Sequence, residues 1–415
     1  MEKVRFGVVG YGQRGSSMTK SILLKIETID VVAVCDKYQD RVDTAVKDVH
    51  EKRGNTPFAT VNYHELLARD DVDAVYVANS WESHIEVAIA AMKAGKAVAM
   101  EVGGAYSIEE LVDLVKTYEE TRMPFMFMEN CCFNKSELLA TAVARAGKLG
   151  KIVHCDGCYA HDLREEVSKG NIIRHYRLRN YINRNSENYP THELGPIAKL
   201  LNINRGNRML SLVSVASGAW GLEEYVNNHP EITDEDPTVK GQRFKQGDIV
   251  DTVITCAGGE TIHIRLDTTL PRFYSRNFTV RGTKGMYHQD TNTFFMDGME
   301  EKHGINTLEY VKEFLDNGTQ YEAEYLPKEW QGMTPELIKE GHGGMDIVEF
   351  RRFVECLMNG EEMPIDVYDA ASWMAVTALS ERSILAGGAP QAIPDFTNGR
   401  WIDRAPLDVV KLVKD

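Results

Sequence analysis

Residues 4–15 read Val4-Arg5-Phe6-Gly7-Val8-Val9-Gly10-Tyr11-Gly12-Gln13-Arg14-Gly15, and this stretch decides the fold of the first part of the chain. Residues 4–9 form an apolar run that is too short for a helix and is typical of a buried parallel strand. Of the glycines that follow, Gly10 permits a tight turn, Gly12 lets the backbone approach a pyrophosphate, and Gly15 lets the next helix pack closely on the strand. The N–H groups at the start of that helix then bind phosphate. The stretch therefore predicts a dinucleotide-binding turn.

The residue that follows the next apolar run indicates which dinucleotide binds. Residues 31–35 predict a second strand, and Asp36 stands at its carboxyl end. A carboxylate there accepts hydrogen bonds from the adenosine ribose and repels a 2′-phosphate, which favours NAD over NADP. A glycine turn in an unrelated α/β protein is the alternative, but strand, glycines, helix and acid occur together at the expected spacing. Lys37 places a cation beside the ribose, so binding of NADP stays an open alternative.

Strands and helices alternate up to about residue 131. Further strands are predicted at 72–78, 97–100 and 124–128, and helices at 84–94 and 108–121, with a short helix from Glu65. This alternation predicts a doubly wound parallel sheet, a Rossmann domain over residues 1–131, whose ligand lies at the carboxyl ends of the strands. Trp81 could instead be a packing aromatic. The predicted cofactor-binding residues are Gly10, Tyr11, Gly12, Gln13, Arg14, Gly15, Asp36, Asn79, Trp81, His84, Glu101 and Asn130.

The rest of the chain, residues 132–415, has a different pattern. Its β-rich runs are separated by Gly, Asn and Asp turns rather than by crossover helices, and they lie at 152–159, 210–216, 249–257, 261–268 and 278–281. This pattern predicts a second, α+β domain with a mostly antiparallel open sheet. Helices predicted at 134–147, 345–358 and 368–386 flank that sheet.

Composition limits the class of partner. The chain has 415 residues, which favours two domains over one core. A net charge of −15 argues against nucleic acid or an anionic membrane as a partner, so we expect a small molecule. With no amino-terminal apolar segment and no run long enough to span a bilayer, we expect a cytoplasmic protein. The vicinal Cys131 and Cys132 have no CxxC partner, and no metal site is predicted.

The glycine turn, Asp36, and the stretch Ala94-Gly95-Lys96-Ala97-Val98-Ala99-Met100-Glu101 resemble the Gfo/Idh/MocA oxidoreductases. Most of that family continues with Glu-Lys-Pro, in which the lysine assists deprotonation of a sugar hydroxyl during hydride transfer. This chain has Glu101-Val102-Gly103 and lacks the lysine. The resemblance therefore implies sugar chemistry on NAD, but without the usual base of a sugar dehydrogenase.

A narrower resemblance accounts for this departure. The motifs are similar to glycoside hydrolase family 109, known for α-N-acetylgalactosaminidases that hydrolyse glycosides with a tightly held NAD. Glu193 is one difference, since the family has glycine there. In that family an exposed face of the second sheet commonly makes dimers, which implies a homo-oligomer. The blocks that carry the resemblance are Met128-Glu129-Asn130-Cys131-Cys132, Tyr159-Ala160-His161-Asp162-Leu163-Arg164, Asn188-Tyr189-Pro190-Thr191-His192, Leu194-Gly195-Pro196-Ile197-Ala198, Leu201-Asn202-Ile203-Asn204-Arg205-Gly206 and Gly341-His342-Gly343-Gly344-Met345-Asp346.

The family's route implies oxidation at sugar carbon 3, elimination, water addition and re-reduction. A proton moves at each step, so the route needs several tyrosine or histidine groups around the sugar. Tyr189 and His192 are the leading acid/base candidates, Tyr189 for the carbon 2 proton and His192 for the carbon 3 hydroxyl. Tyr159 and His161 form a second candidate pair, although Tyr159 could be a core aromatic and His161 a loop residue.

Substrate-binding residues are predicted at Arg164, Glu193 and His342. The alternative is that His342 belongs to a loop at the start of a helix, because two glycines follow it. Arg164 belongs to a cluster of basic residues in an acidic chain. Such a cluster is usually a solvent-exposed charged surface, and the alternative is that it binds a hydroxyl or carboxylate of the substrate. The other members of this cluster are Arg174, Arg177 and Arg179.

Three functional classes remain open from the sequence. The first is an NAD-dependent glycosidase. The second is an NAD-dependent sugar or polyol dehydrogenase, which Val102 disfavours but does not exclude, because another base could act. The third is a non-catalytic sugar or nucleotide sensor, against which the intact tyrosine and histidine pairs argue.

Overall fold

The apolar runs of the amino-terminal part form a parallel sheet. A computed structural model describes residues 2–299, 309, 311–339 and 341–412. Six strands of the described part pair in parallel in the order β3-β2-β1-β4-β5-β6, which confirms the predicted doubly wound sheet. Their bounds are β1 Val4–Val9, β2 Ile29–Cys35, β3 Phe58–Thr60, β4 Ala74–Val77, β5 Ala97–Glu101 and β6 Phe125–Met128.

The strand order reverses at β1, which is where dinucleotides bind in such sheets. The short edge strand β3 was not predicted, because three residues are too few to show a period. A capping box between Ser107 and Glu110 starts the helix Ile108–Thr121 at the predicted residue. The helices between these strands are Gln13–Ser21, Gln39–Arg53, Tyr63–Leu67, His84–Lys93 and Ile108–Thr121.

The chain returns to this sheet much later in the sequence. It divides into two compact units, and the first contains Met333–Ala375 as well as Met1–Phe133. In this unit Phe350 packs edge-on against Tyr76, with ring centroids 5.1 Å apart, and Phe353 lies 5.8 Å from Phe6. Contacts between aromatic residues this far apart in the sequence produce no local sequence pattern from which they could be predicted. The domain boundary predicted after residue 131 therefore does not account for the return of the chain to the first unit. That boundary stays a prediction.

The second unit, Asn134–Gly332 with Val376–Asp415, is built on a mixed sheet. Its strand order is β13-β12-β11-β7-β10-β9-β8-β14; β7 and β10 pair in parallel and the other neighbours are antiparallel. The predicted mostly antiparallel open sheet is thus confirmed. The strands are β7 Ile152–Ala160, β8 Met209–Ala216, β9 Ile249–Cys256, β10 Thr261–Asp267, β11 Thr279–Gly282, β12 Gly285–His288, β13 Thr293–Met296 and β14 Gln391–Ala392.

The helix Thr191–Leu200 lies on β7 and β10 of this sheet. It approaches closely at Gly157, where an added Cβ would lie 2.8 Å from the Cβ of Glu193. The longest described helix, Val367–Leu385, carries charged side chains, and none of the described helices is both long and apolar enough to cross a bilayer. The remaining helices are Lys135–Arg145, Arg164–Ser168, Arg177–Asn183, Gly221–Asn228, Pro230–Glu235, Thr319–Tyr325, Lys328–Gln331, Pro335–Ile338 and Met345–Asn359.

Replacing Phe350 with alanine tests the late return of the chain to the first unit. Phe350 is fully buried, so Phe350→Ala should lower the free energy of unfolding by about 3–5 kcal/mol. Denaturant titration measures this change, with Phe273→Ala as the control, because Phe273 is 76% exposed. Equal midpoints for the two variants would contradict the packing described here.

Candidate functional site

The glycine turn after β1 has the backbone geometry that the sequence predicts. Gly10 has a left-handed backbone with φ of 97°, and a Cβ there would lie 2.5 Å from the backbone of Ala78 and Asn79. A Cβ on Gly15 would lie 2.0 Å from the carbonyl oxygen of Gly10. The helix Gln13–Ser21 begins directly after Gly12. Only glycine fits these positions, and the resulting cradle at a helix start suits the pyrophosphate of a dinucleotide.

Asp36 lies beside this turn at the end of β2. Its Oδ2 accepts the backbone N–H of Tyr11 at 2.6 Å, and its Oδ1 accepts that of Tyr38 at 3.0 Å. A carboxylate oxygen can accept more than one hydrogen bond, so both can still receive ribose hydroxyls. Tyr11 itself is buried and donates its hydroxyl to Asp48 at 2.9 Å, while Gln13 is exposed. The backbone of Tyr11, rather than its ring, thus supports the predicted nucleotide site.

Arg14 lies between two carboxylates of the first unit. Its Nε donates to Glu101 at 2.8 Å and its Nη2 to Asp346 at 3.1 Å. Glu101 also accepts the hydroxyl of Tyr76 at 2.6 Å. Burial opposes ionisation of Asp346, yet Arg14 and His342 hold the pKa of its carboxyl well below the ordinary value. Arg14 and Glu101, both predicted to bind the cofactor, are therefore members of a charged network.

Asn130 and His342 complete this network. The Asn130 side-chain amide donates to Asp346 at 2.7 Å. His342 reaches the other oxygen of Asp346 through its backbone N–H at 3.0 Å, and its Nδ1 lies 2.8 Å from that oxygen. The structure thus places His342, predicted to bind substrate, in the first unit with a side chain that is 58% exposed. Asp346 was not predicted as a site residue; its place in the Gly341–Asp346 motif was the available signal.

Trp81 and His84 pack against Gly103, the residue that ends the Glu101-Val102-Gly103 stretch. A Cβ on Gly103 would lie 2.4 Å from Trp81 Cδ1 and 2.8 Å from His84 Cε1. Both side chains are buried, and burial lowers the pKa of His84 to about 4, so its ring is neutral at neutral pH. Asn79 donates to Ser83 at 2.8 Å. Contacts of these residues with the cofactor stay predictions.

In the second unit, four predicted acid/base residues form one cluster. Tyr159 stands near the end of β7, and Tyr189 lies just before the helix Thr191–Leu200; their ring centroids are 4.7 Å apart. The Tyr189 hydroxyl is 3.4 Å from His192 Nε2, and the Tyr159 hydroxyl is 3.2 Å from His161 Nδ1. Tyr159 also meets the edge of the His192 ring, with centroids 5.4 Å apart. The two predicted pairs are therefore one aromatic group.

Arg177 adds a positive charge to this cluster. Its guanidinium carbon lies 5.1 Å from the ring centroid of Tyr189, and its Nε pairs with Glu166 at 3.4 Å. Burial raises the pKa of Tyr159 to about 12, and Arg177 opposes that rise because a cation favours the phenolate. Burial and Arg177 together lower the pKa of His161. The sequence placed Arg177 only in a basic cluster of undecided role, since nothing local shows which arginine is buried.

The other two predicted substrate-binding residues lie in less open places. Arg164 is held by Asp162 through two hydrogen bonds of 2.8 and 2.7 Å, and its guanidinium lies over the ring of Tyr225. Glu193 is only 1% exposed and lies against Gly157. The structure thus buries Glu193 against β7.

Comparisons with known proteins agree with both parts of this description. Residues 4–128 match the model of the oxidoreductase family with an NAD-binding Rossmann fold, and residues 133–403 match that of the glycosyl hydrolase 109 C-terminal domain. The first unit thus contains an NAD-binding Rossmann domain.

Similar proteins are found over nearly the full chain. An alpha-N-acetylgalactosaminidase of Tannerella forsythia is 34% identical over 97% of this chain and 88% of its own length. One of Shewanella oneidensis is 37% identical over 99% of this chain and 88% of its own. The crystal structure of myo-inositol 2-dehydrogenase from Lactobacillus plantarum has a TM-score of 0.65 at 14% identity, over 94% of this chain and all of that chain. This last likeness shows a shared fold.

Replacing Asp346 with asparagine tests the charged network of the first unit. Asp346→Asn leaves Arg14 with one carboxylate fewer and should lower the free energy of unfolding at neutral pH by about 3 kcal/mol. Because the folded-state pKa of Asp346 is lowered, this stabilisation is present above its ordinary value of 3.8 and is lost as the pH falls through the folded-state value.

Denaturant titration at several pH values measures this difference. The matched control is Asp71→Asn, which breaks a more exposed pair with Arg69 and should change stability by less than about 1 kcal/mol. Equal losses in the two variants would show that the network does not depend on Asp346.

Proposed function

Because this chain belongs to glycosyl hydrolase family 109, we propose that it is an NAD-dependent glycosidase that oxidises sugar carbon 3 transiently, eliminates the aglycone, adds water and re-reduces the ring. The observation that carries the proposal is the cluster of Tyr159, His161, Tyr189 and His192 beside Arg177. It gathers several proton-transfer groups around one place, as a reaction with a proton transfer at each step requires.

The first unit supplies the cofactor site in this proposal. The cradle at Gly10 and Gly15 would hold the pyrophosphate, and Asp36 would accept the hydroxyls of the adenosine ribose. When bound there, NAD would supply a hydride acceptor for the oxidation at carbon 3 and, in its reduced form, a hydride donor for the re-reduction. A carboxylate with both oxygens already on backbone N–H groups would exclude a 2′-phosphate by charge repulsion, which favours NAD over NADP.

The cluster in the second unit would perform the proton transfers. A ketone at carbon 3 acidifies the proton on carbon 2, and Tyr189 is assigned to remove it. His192, whose Nε2 is 3.4 Å from the Tyr189 hydroxyl, is assigned to the carbon 3 hydroxyl. Arg177 assists because its charge stabilises a phenolate next to it. Tyr159 and His161 form the second pair and would serve the leaving group and the added water.

A dehydrogenase is the runner-up, and Val102 argues against it. Val102 is a buried apolar residue in the position where most Gfo/Idh/MocA members have a lysine. It cannot take a proton from a sugar hydroxyl, so the acid/base work falls to the cluster of the second unit. The likeness to an inositol dehydrogenase structure is one of fold only.

We assign an α-linked N-acetylgalactosaminide as the first substrate to test. The two relatives named above are alpha-N-acetylgalactosaminidases. Glu193 is the position at which the sequence differs from the family. In the folded protein this residue is 1% exposed and lies against Gly157.

The bound nucleotide gives a direct test of the cofactor site. Protein purified without added nucleotide should carry NAD(H) and not NADP(H), because a hydride that is returned in each turnover removes the need for cofactor exchange. Chromatography of the nucleotide released on denaturation identifies it. Gly15→Ala should lose the nucleotide, whereas Gly332→Ala should keep it, because a Cβ there meets no atom within 4 Å. Finding NADP(H) would overturn the role of Asp36.

The acid/base assignment is tested by removing one hydroxyl. Tyr189→Phe keeps the ring and should lower the rate of aryl glycoside cleavage by about 100-fold or more. Tyr287→Phe is the control, a buried tyrosine of β12 whose hydroxyl contacts Asn292. The assay follows aglycone release and NADH absorbance together, and substrate deuterated at carbon 2 should react more slowly or exchange its label with solvent.

Two outcomes would contradict this assignment. NADH that accumulates stoichiometrically without aglycone release would select the dehydrogenase. Full glycosidase activity in both Tyr189→Phe and His192→Ala would show that the protons are transferred elsewhere.

A further inference from the structure

An arginine of the first unit lies beside the carboxylate that favours NAD. Arg41 is in the first turn of the helix Gln39–Arg53, and its Nη1 lies 3.9 Å from Asp36 Oδ2. The side chain of Arg41 is 20% exposed and that of Asp36 is 6% exposed. The function proposed above gives Arg41 no part, although it pairs with the acid assigned to the ribose.

The same guanidinium also reaches the glycine turn. A Cβ built on Gly12 would lie 3.4 Å from Arg41 Nη1 and 3.8 Å from its Cζ. Gly12 is the glycine at which the backbone approaches a bound pyrophosphate. The guanidinium carbon lies 5.1 Å from the ring centroid of Tyr38, and the Arg41 backbone N–H donates to the Tyr38 carbonyl at 3.1 Å. These contacts place the cation next to both Asp36 and the predicted phosphate cradle.

Two cations follow Asp36 in the sequence, and the structure distinguishes them. Lys37, which left binding of NADP open, has an exposed side chain. Arg41 instead packs against the cradle and pairs with the acid. A guanidinium binds phosphate through several N–H donors in a planar fork, and an arginine near the ribose accommodates the 2′-phosphate in NADP-binding sheets of this kind. Arg41 therefore combines the chemistry for a 2′-phosphate with a position beside the ribose-binding acid.

We propose that Arg41 is a second determinant of nucleotide choice, a guanidinium able to bind a 2′-phosphate that the Asp36 carboxylate keeps from doing so. In the intact chain the two opposite charges lie 3.9 Å apart and offset each other, so a 2′-phosphate would meet a carboxylate and no net positive charge. Removing the carboxylate leaves the guanidinium to the phosphate. The inference rests on the cofactor site of the proposed function, and not on its glycosidase chemistry.

Nucleotide binding tests this role without any assay of activity. Asp36→Ser removes the charge, shortens the side chain and keeps an oxygen that can accept a backbone N–H. Fluorescence titration of nucleotide-free protein with NADPH and with NADH measures both affinities. Asp36→Ser should bind NADPH about 10–100-fold more tightly than the intact protein does, because a charge-assisted contact replaces a repulsion.

A second substitution in the Asp36→Ser background separates the two cations. Asp36→Ser with Arg41→Ala should lose the gained NADPH affinity by about 10–100-fold, since the phosphate then has no guanidinium. Asp36→Ser with Lys37→Ala is the matched control, and its NADPH affinity should stay within about 3-fold of that of Asp36→Ser, because Lys37 is exposed. NADH has no 2′-phosphate, so its affinity should change less than that of NADPH when Arg41 is removed.

The Arg41→Ala variant alone covers the case in which Asp36→Ser does not fold. With Asp36 in place, loss of the offsetting cation should lower the NADPH affinity by a larger factor than the NADH affinity. Equal factors for the two nucleotides would overturn the role of Arg41. Melting curves recorded without nucleotide identify the variants that are folded.

The remaining outcomes separate this inference from the glycosidase proposal. Equal NADPH affinity of Asp36→Ser with and without Arg41→Ala would overturn the inference, and so would a loss that follows Lys37→Ala instead. If NADPH binding depends on Arg41 but the intact protein cleaves no glycoside, the role of Arg41 stands and the glycosidase proposal fails. If the intact protein binds neither NADH nor NADPH, the cofactor site was wrongly assigned and both fail.

Discussion

The close approach of the helix Thr191–Leu200 to β7 is the constraint on which the acid/base cluster depends. It is possible because residue 157 is glycine, and a larger side chain would meet Glu193. Since Tyr189 lies just before this helix and Tyr159 on the strand beneath it, the approach sets their 4.7 Å ring separation. The same contact buries Glu193. One missing side chain thus governs the placement of the reactive groups.

Buried carboxyl groups of this protein lie in two kinds of electrostatic environment. In the first unit, Arg14 lies between Glu101 and Asp346, and its charge keeps the pKa of Asp346 low. In the second unit, burial raises the pKa of Glu187 to about 8, and in the first unit, burial and the charges of Glu101 and Asp346 raise the pKa of Glu349. An opposite charge favours the ionised acid and a like charge the protonated one. The network of Arg14 and Asp346 therefore weakens in acid.

Much of the fold and part of the site were predictable from local pattern. The glycine turn, the acid after β2 and the alternation of strands and helices each depend on neighbouring residues, so the parallel sheet was predicted with strand bounds close to those observed. The cluster of Tyr159, His161, Tyr189 and His192 was predicted through family resemblance, and the structure brings these four together. Oligomeric state and cellular compartment stay predictions from sequence.

What the sequence by itself determined is the class of fold, the dinucleotide turn and the identity of the residues that can transfer protons, because period, glycine spacing and motif are local properties. The tertiary structure decided which charges are paired and which are buried. It joined His342 and Asp346 to Arg14, selected Arg177 from a basic cluster, and buried Glu193. Desolvation and charge pairing depend on residues far apart in sequence, and these meet only when the chain has folded.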